Sequence, residues 1–573
     1  MEKQKSPKIL AIVGCIAVLI SGCSTQNASI NKQQLDDSVD KYGFSEPVSI
    51  KVGLDYASDF QWVGEEAPED NSWMNLYHEN NIYPEIMYKV DVSQKKTKLQ
   101  SAILSGNYPD IFHTDAADYL SYVNNGVLAD ITEAYEKYAS DELKAYLMSD
   151  GGKVLESLKV DGRLYGLPRL GDPYEESSIL FIRQDWLDNL GLERPETMEE
   201  LGEIAYAFTY DDPDGNGIDD TYGIAMDGVD LFSNTFGDAN PFFNGFGVYY
   251  GMDGMAMVEN DDGTASWGGS NLTNVKEALA FLQKMYRDGS LSNDFLTMNS
   301  TVVYEEAGAG HCGIWTGPSW AGMIPAINAT SVDKNAHIVA LPILKGGSAQ
   351  TGKGYLANPL VEVHCASSQC SNPEVLIKLM NLAVQKLCYP SSDEELKKYF
   401  GDNENYSGWK ASLVHLKPVD GGYQSWKLEQ KALSTGKMEG LQVQQRQEVD
   451  NMKAFLAAKE TGCLDFENPA HTRGIANYTL YGDEQCAWKV LDDMMKENEF
   501  VQSVNPVLTS REVIETVETI RNLTVETIIK IITGDSVDEY ETFLNTWYSL
   551  GGKTAEEAAN QILNEISINR EKE

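Results

Sequence analysis

The amino-acid sequence predicts an α/β protein whose C-terminal part is rich in helices, and two observations support this. Apolar and polar residues alternate at 48–54 and 86–92, as in half-buried strands, and a third strand is predicted at 109–112. The helices predicted between and after these strands lie at 97–104, 119–123 and 131–138. Strands that alternate with helices are typical of layered α/β structures. Beyond residue 372 the pattern becomes mainly helical.

The chain begins with the pattern of an export leader. Three lysines precede an apolar stretch at 9–20, which is too short to span a bilayer. The residues that follow, Ile20-Ser21-Gly22-Cys23, resemble the lipobox of bacterial lipoproteins. This resemblance implies removal of residues 1–22 and attachment of acyl chains, palmitate among them, to Cys23. We therefore expect a protein anchored by lipid outside the cytoplasmic membrane, the alternative being an ordinary secreted protein.

Composition constrains the compartment and the partners. Residues 24–47 are polar and predict a flexible tether. A formal charge of −42 disfavours nucleic acid and anionic lipid surfaces as partners. Six cysteines follow Cys23, an even number that permits disulfides outside the membrane, with Cys365 and Cys370 the closest pair. Free buried thiols are the alternative, and the sequence does not decide between them.

The middle of the chain continues the alternation of strands and helices. Gly191 ends one predicted helix, and a longer amphipathic helix ends at Asp288-Gly289. The predicted strands lie at 165–169, 179–183, 313–315 and 338–342, and the predicted helices at 184–190, 195–208 and 275–287. The helices predicted in the C-terminal part lie at 373–386, 393–400, 512–532, 537–549 and 555–568.

Five stretches, taken in their order and spacing, resemble one known family. They are 104–112 (LSGNYPDIF), 162–169 (GRLYGLPR), 182–192 (IRQDWLDNLGL) with Pro195 and Thr197, 212–217 (DPDGNG) and 529–534 (IKIITG). They are similar to the family 1 extracellular solute-binding proteins of bacterial ABC importers, in the large lipoprotein branch linked to complex sugars. The resemblance runs from about residue 48 to residue 565.

This resemblance implies two α/β lobes of the type II periplasmic-binding fold, which close about a hinge on a solute between them. The first lobe is expected at 48–168 plus about 311–360. The second is expected at 169–310 plus about 361–573. The family implies a monomer that delivers its solute to the permease subunits of an ABC importer and catalyses no reaction.

One loop carries the pattern of a calcium site. Oxygen-bearing side chains recur at alternate positions, and Gly217 permits a sharp turn, as at the start of an EF-hand loop. The predicted ligands are Asp212, Asp214, Asn216, the carbonyl of Ile218 and Asp220. The closing Glu of an EF-hand is missing, since Gly223 stands in its place. A structural calcium ion is expected here, and the alternative is a solvated Asx/Gly turn.

Aromatic and charged residues near predicted strand ends are the candidates for ligand binding, because sugars offer apolar faces for stacking and hydroxyl groups for polar contacts. The candidates are Asp59, Trp62, Asp115, Arg169, Asp172, Trp315 and Trp320. The two indoles at 315 and 320 lie on a Gly/Pro loop that, in the family, faces the ligand. For the aromatic candidates the alternative is a place in the core, and for the charged ones a surface ion pair. Trp186 is interpreted as a core residue.

Two rival functions stay open. One is a binder of peptides or other non-sugar solutes on the same fold. The other is a surface glycoside hydrolase, for which adjacent acids such as Glu175-Glu176 would supply carboxylates. In a chain with 87 acidic residues such pairs occur by chance, so binding of a carbohydrate is the favoured interpretation.

Overall fold

The computed structural model describes residues 40–56, 60, 62–252, 254–260, 262–401, 408–504 and 511–570. Its strands are β1 (Val48–Tyr56), β2 (Ile82–Asp91), β3 (Ile111–Thr114), β4 (Gly166–Leu170), β5 (Ile179–Arg183), β6 (Tyr222–Ile224), β7 (Met257–Glu259), β8 (Ala265–Trp267), β9 (Cys312–Gly317), β10 (Ile338–Leu341), β11 (Gly354–Leu356), β12 (Leu360–Ala366) and β13 (Phe500–Gln502). The leader, Cys23 and most of the predicted tether lie outside the described residues.

The helices before residue 340 are α1 (Ser72–Glu79), α2 (Lys95–Leu104), α3 (Ala116–Asn124), α4 (Thr132–Tyr138), α5 (Asp141–Leu147), α6 (Lys153–Ser157), α7 (Gln184–Leu190), α8 (Met198–Tyr210), α9 (Asn240–Asn244), α10 (Leu272–Asp288), α11 (Ser300–Ala309) and α12 (Met323–Val332). Those after it are α13 (Val375–Leu387), α14 (Asp393–Tyr399), α15 (Gly421–Thr435), α16 (Val443–Glu460), α17 (Pro469–Asn477), α18 (Ala487–Lys496), α19 (Arg511–Ile532), α20 (Glu539–Trp547) and α21 (Lys553–Arg570). These elements confirm the predicted α/β class and the helical character of the C-terminal part.

The first sheet has the strand order β2-β1-β3-β12-β4. Strands β1, β2 and β3 run parallel, whereas β12 runs antiparallel to β3 and β4. In β1 the residues Ile50, Val52 and Leu54 are buried, as the alternation in the sequence predicts. The carboxyl ends of β1, β3 and β4 therefore meet the amino end of β12 at one edge of this sheet.

The second sheet has the order β10-β5-β9-β6. Strand β5 pairs antiparallel with β9 and β10, and β6 runs parallel to β9. The run Ile179 to Ile182 is fully buried, because β5 lies in the interior of the sheet with apolar residues on both of its faces. Two short pairs, β7 with β8 and β11 with β13, complete the strand pairings.

One part of the predicted domain division is wrong. Residues 311–360 were expected to return to the first lobe, yet β9 and β10 pair with β5 in the second sheet. The return is made by β12, and α13 then packs its buried face against the core of the first sheet, although residues beyond 360 were assigned to the second lobe. The physical reason is that β9, with all six residues buried, needs partners on both sides, and β5 and β6 provide them.

Three short segments connect the cores around the two sheets. They are residues 171–178 between β4 and β5, residues 357–359 between β11 and β12, and residues 417–420 before α15. The first two are joined by a hydrogen bond from the Gly171 amide to the Pro359 carbonyl, 2.8 Å long. We call these the crossing segments.

Several local predictions are confirmed. Helix α7 ends at Gly191 and α10 ends at Gly289, both in the left-handed region that favours glycine. Trp186 is a core residue and meets Phe208 edge to face at 5.2 Å.

The six cysteines of the described residues are free thiols. Among those residues, the structure contains no helix with the length and apolar character needed to cross a bilayer.

Candidate functional site

Charged side chains converge at the edge of the first sheet where the carboxyl ends of its parallel strands meet. Asp55, His113 and Arg169 each stand one residue before the end of β1, β3 and β4, and Glu362 lies near the start of β12. In open α/β sheets, ligands bind at the carboxyl ends of the strands. We call Asp55, His113, Glu362 and Arg169, together with His415, the edge cluster.

Glu362 is the centre of the edge cluster. Its carboxylate is 2.6 Å from His113 Nδ1, 3.3 Å from the Arg169 guanidinium and 3.5 Å from the Lys95 ammonium. Burial opposes ionisation of Glu362, but the charge and hydrogen bond of His113 outweigh it and hold the pKa of Glu362 well below its usual range. Glu362 is therefore an ionised carboxylate that cations surround.

His113 is held as a cation between two carboxylates. Its Nε2 lies 3.0 Å from Asp55 Oδ1, on the opposite side of the ring from Glu362. Burial favours the neutral imidazole, but Glu362 and Asp55 raise the pKa of His113 to about 9. The neighbouring ring of His364, stacked at 5.7 Å, is fully buried, and burial lowers its pKa to about 3. At neutral pH His113 is therefore positively charged, whereas the adjacent His364 is neutral.

The same cluster offers donor atoms to a metal, but its surroundings disfavour one. Donor atoms of His113, Glu362 and His415 lie within 4.8 Å of one another. However, Arg169 and Lys95 hold positive charge within 3.5 Å of the Glu362 carboxylate. A divalent cation would meet this repulsion directly. We therefore interpret the edge cluster as an ion-paired network.

Trp409 lies beside the edge cluster with cations around its ring. The distances to the ring centroid are 5.1 Å from the Arg169 guanidinium, 4.6 Å from the Lys417 ammonium and 5.6 Å from the Lys410 ammonium. His415 meets the same indole edge to face at 6.0 Å. Cations attract the faces of aromatic rings, and Trp is the strongest such partner. We call Arg169, Lys410 and Lys417 around Trp409 the cationic group.

The first crossing segment carries three acids beside this group. Burial raises the pKa of Glu175 and of Glu176, while the charge of Lys417 opposes the rise in both. Burial and the charge of Glu175 raise the pKa of Asp172 to about 7, and its Oδ2 is buried without a hydrogen-bond partner. Trp320 donates a hydrogen bond to Glu176, and its ring meets Phe236 at 5.5 Å. Acids and an indole near the second sheet therefore face cations near the first.

A groove runs along the crossing segments on residues distinct from the edge cluster and the cationic group. It encloses about 1410 Å³, solvent at its mouth included. Its wall contains Asp172, Tyr174, Asn358, Asp420 and Tyr423. Residues from both cores line it, so its width depends on how the two cores are arranged.

The structure places the predicted site residues in different surroundings. Arg169 and Asp172 lie where the cores meet, and Trp320 is half-buried there. Asp115 caps α3 by accepting a hydrogen bond from the Asp118 amide at 2.8 Å, and it pairs with Lys96 at 2.7 Å, so the surface ion pair is present. Trp62 meets Tyr56 and Phe60 in an aromatic group after β1. Asp59 lies outside the described residues.

Trp315 was predicted to face the ligand, but it lies in the core. It is fully buried, stacks on Phe181 at 5.9 Å and donates its indole N–H to the Ala321 carbonyl at 3.1 Å. The reason is its position in β9, where both faces of the strand are covered. In this conformation it presents no surface to a solute.

Sequence reasoning missed Trp409, His113, Glu362 and Lys417. Glu362 offered a signal, since it and His364 are polar residues within a strand that is otherwise apolar. The stretch 409–417 also offered one, because it combines an indole with two lysines and a histidine in a strongly acidic chain. Neither signal shows that β12 returns to pair with β3.

The side chains of four predicted calcium ligands, Asp212, Asp214, Asn216 and Asp220, lie close together in the loop between α8 and β6. Asn216 Nδ2 lies 2.8 Å from Asp214 Oδ2 and 3.3 Å from Asp220 Oδ1, and Asp212 accepts a hydrogen bond from the Gly217 amide at 3.1 Å. Burial and the neighbouring Asp212 and Asp220 raise the pKa of Asp214. Carboxylates gathered in this way lack a positive partner within the loop and fit the oxygen donors that calcium prefers.

Comparison with known proteins agrees with this architecture. A family model described as bacterial extracellular solute-binding protein matches residues 88–378, half of the chain. The polygalacturonan/rhamnogalacturonan-binding protein YtcQ of Bacillus subtilis (strain 168) is 28% identical over 305 residues, 52% of this chain and 56% of that protein. The fructooligosaccharide ABC transporter substrate-binding protein FusA of Streptococcus pneumoniae (serotype 4) is 25% identical over 304 residues, 51% of this chain and 53% of that protein. The chain thus spans about half the length of the curated relatives it matches.

Solved structures show the same fold over most of the chain. An extracellular solute-binding protein from Bifidobacterium longum subsp. infantis has a TM-score of 0.61 at 16% identity, covering 91% of this chain and 98% of that one. An EF-hand mutant of the S. pneumoniae protein FusA, in complex with fructo-nystose, has a TM-score of 0.55 at 15% identity, covering 91% and 100%. These similarities confirm the predicted two-lobed α/β fold.

Proposed function

The chain belongs to the bacterial extracellular solute-binding protein family, and we propose that it captures a carbohydrate between two lobes and delivers it to an ABC importer. The observation that carries this proposal is the meeting of side chains from both cores at the carboxyl edge of the first sheet. Arg169 and Lys417 approach this place from one side, and Trp320 and Glu176 from the other. Aromatic faces and polar groups arranged in this way suit a sugar, whose ring has apolar faces and a rim of hydroxyl groups.

We place the first lobe around the first sheet, including β12 and α13, and the second lobe around the second sheet. The three crossing segments then act as the hinge. A solute that contacts both lobes binds the closed form more tightly than the open form, and it shifts the population toward closure by that difference in affinity. The closed form, as a monomer, would then dock on the permease subunits.

Two relatives support carbohydrate as the solute. The name of YtcQ describes binding of polygalacturonan and rhamnogalacturonan, and the name of FusA describes fructooligosaccharides. Anchoring is supported by the Ile20-Ser21-Gly22-Cys23 pattern. Acyl chains on Cys23 would keep the protein at the membrane surface and raise its effective concentration near the importer.

We also propose that the loop after α8 holds a structural calcium ion. Asp212, Asp214, Asn216 and Asp220 would supply side-chain oxygens, and Ile218 its carbonyl. The ion would neutralise the carboxylates that now raise the pKa of Asp214. The solved EF-hand mutant of FusA indicates that an EF-hand occurs in a protein of this fold.

The test uses residues 24–573, which omit the leader and Cys23. Its thermal unfolding and calorimetric titration are measured against neutral oligosaccharides, acidic oligosaccharides and peptides, and the sugars are then examined by chromatography. A solute at a hundredfold excess over its Kd stabilises the native state by about 2.7 kcal/mol. Stabilisation by one class of sugar that stays intact supports the proposal. Stabilisation by peptides alone, or cleavage of the sugar, would contradict it.

A further inference from the structure

The cationic group gathers like charges in a chain that is otherwise strongly acidic. The chain has 45 basic residues against 87 acidic ones. Even so, three cations lie within 5.6 Å of the Trp409 ring centroid. Like charges held this close repel one another, most strongly where solvent is partly excluded. Such an arrangement calls for a compensating negative charge.

The protein supplies only part of that charge. Arg169 pairs with Glu362 at 3.3 Å. Among the described residues, no carboxylate lies within the 4.0 Å ion-pair distance of Lys410 or Lys417. Burial lowers the pKa of Lys417, and the positive charges of Arg169 and Lys410 lower it further against the opposing charges of Glu175 and Glu176. Within the part of the chain that the structure describes, these two ammonium groups therefore lack an ion-pair partner.

The position of these two lysines is suited to a solute. Lys417 lies at the start of the third crossing segment, where its ammonium group is shielded by the two cores but part of its side chain is open to solvent, and Lys410 is exposed beside Trp409. Glu175 and Glu176 are nearby acids whose charges raise the pKa of Lys417, but neither carboxylate lies within 4.0 Å of its ammonium group. An anionic group of a bound solute would approach Lys410 and Lys417 from solvent without displacing a protein ion pair.

We infer that the solute is an acidic oligosaccharide, whose carboxylate or sulfate groups are bound by Lys410 and Lys417. This inference rests on the proposed function, because it assigns the class of sugar for the same site. Arg169 then has a positioning role, since its pairing with Glu362 and its contact with Trp409 keep the indole in place. The hydroxyl groups and apolar faces of the sugar are left to Trp320 and its neighbours.

The test compares sugars that differ in charge alone. Calorimetric titrations of residues 24–573 use oligogalacturonides and oligoalginates, the methyl esters of both, sulfated oligosaccharides and neutral oligosaccharides. We expect an acidic sugar to bind at least tenfold more tightly than its neutral ester, with an affinity that falls as NaCl rises from 50 to 500 mM. Binding of uronates but not sulfated sugars, or the reverse, would identify the charged group.

Variants of Lys410 and Lys417 test whether these two residues cause the preference for acidic sugars. Lys410→Met and Lys417→Met keep the apolar stem of each side chain and remove its charge. Each should weaken binding of the acidic sugar about tenfold and reduce its salt dependence, with no effect on any neutral sugar. Lys427→Met is the matched control, because its ammonium lies over Tyr423 at 4.1 Å, outside the cationic group. It should leave affinity unchanged.

The outcomes separate this inference from the proposed function. Equal or tighter binding of neutral sugars would overturn the inference and leave a carbohydrate-binding protein. Loss of thermal stability in Lys410→Met and Lys417→Met without a change in charge preference would also overturn it, since the cations would then serve the fold. The absence of binding by any saccharide would instead contradict the proposed function.

Discussion

The carboxyl edge of the first sheet and the interior of the second sheet hold groups of different character. At the first sheet, Asp55, His113, Glu362 and Arg169 form a network of ionised groups. At the second, Trp315 stacks on Phe181, and burial raises the pKa of Asp238 to about 6. A strand covered on both faces favours apolar and neutral groups, whereas an edge with several partners of opposite charge can stabilise ions. The edge of the first sheet is therefore suited to recognise polar solutes, whereas the interior of the second sheet supports the structure.

Removal of a buried indole from the interior of the second sheet should change stability the most. Trp315→Ala should lower the free energy of unfolding by about 3–5 kcal/mol, the usual cost of removing a buried Trp. Urea unfolding measures this change. Trp320→Ala is the control, because this half-buried indole should cost less stability and should weaken solute binding instead. If folded Trp315→Ala lost more affinity for the solute than Trp320→Ala, Trp315 would not be a purely structural residue.

The next effect tests the ionised network of the first edge. Glu362→Gln keeps the shape of the side chain but leaves His113 and Arg169 without their shared counter-charge. Breaking a buried ion pair on one side costs about 3 kcal/mol, which denaturant unfolding would detect. Glu526→Gln is the control, since Glu526 pairs with Lys530 on the exposed surface of α19 and should cost under about 0.5 kcal/mol. If both changes lowered the free energy of unfolding equally, the network around Glu362 would contribute no more to stability than an exposed ion pair.

The alkaline side of the stability profile tests the charge of His113. The folded pKa of about 9 exceeds the ordinary value of 6.5, so the stabilisation is complete below about pH 6.5 and is lost as pH rises through 9. The loss should be about 3 kcal/mol when it is complete. Unfolding measured at pH 6.5, 8 and 9.5 should show this loss in the native protein and a flatter profile in His113→Gln. If the free energy of unfolding of the variant fell with pH as steeply as that of the native protein, His113 would not be the group responsible for the loss.

The acid side of the same profile tests His364. Its folded pKa of about 3 lies below 6.5, so the unfolded chain binds the proton more readily and stability falls as pH drops below about 6.5. His364→Gln should remove part of this loss and leave the alkaline side unchanged. Asp55 and Glu362, whose pKa values are lowered, also lose stabilisation as pH falls, so some loss persists in the variant. If His364→Gln changed the free energy of unfolding on the alkaline side alone, this would contradict a neutral His364 beside a charged His113.

The smallest expected effect concerns the loop after α8, far in sequence from the edge of the first sheet. Calcium at tenfold excess over its Kd should stabilise the native state by about 1.4 kcal/mol, which EDTA reverses. Asp214→Asn should abolish this response in a thermal melt. Asp219→Asn, in the same loop but not a predicted ligand, should retain it. An equal response in native protein and Asp214→Asn would exclude the loop as the calcium site.

Part of the fold and of the candidate site could be predicted from the sequence, because these parts depend on local patterns. Strand β5, helix α7 and the left-handed Gly191 follow from periodicity and glycine placement. Arg169 and Asp172 were predicted because they lie where the chain leaves the first predicted lobe. Trp315 was misplaced because the sequence shows an indole on a Gly/Pro loop and does not show that β5 and β6 flank its strand.

Local sequence patterns were enough to predict the α/β class, the helical C-terminal part and the loop of alternating oxygen side chains. These depend on neighbours within a few residues, where periodicity and turn chemistry act. The pairing of β12 with β3, which brings Glu362 to His113 across 249 positions, became evident only from the folded chain. The same return of the chain brings Lys417 beside Trp409 and Arg169. Charge pairing and burial depend on contacts between distant residues, and these contacts form only when the chain folds.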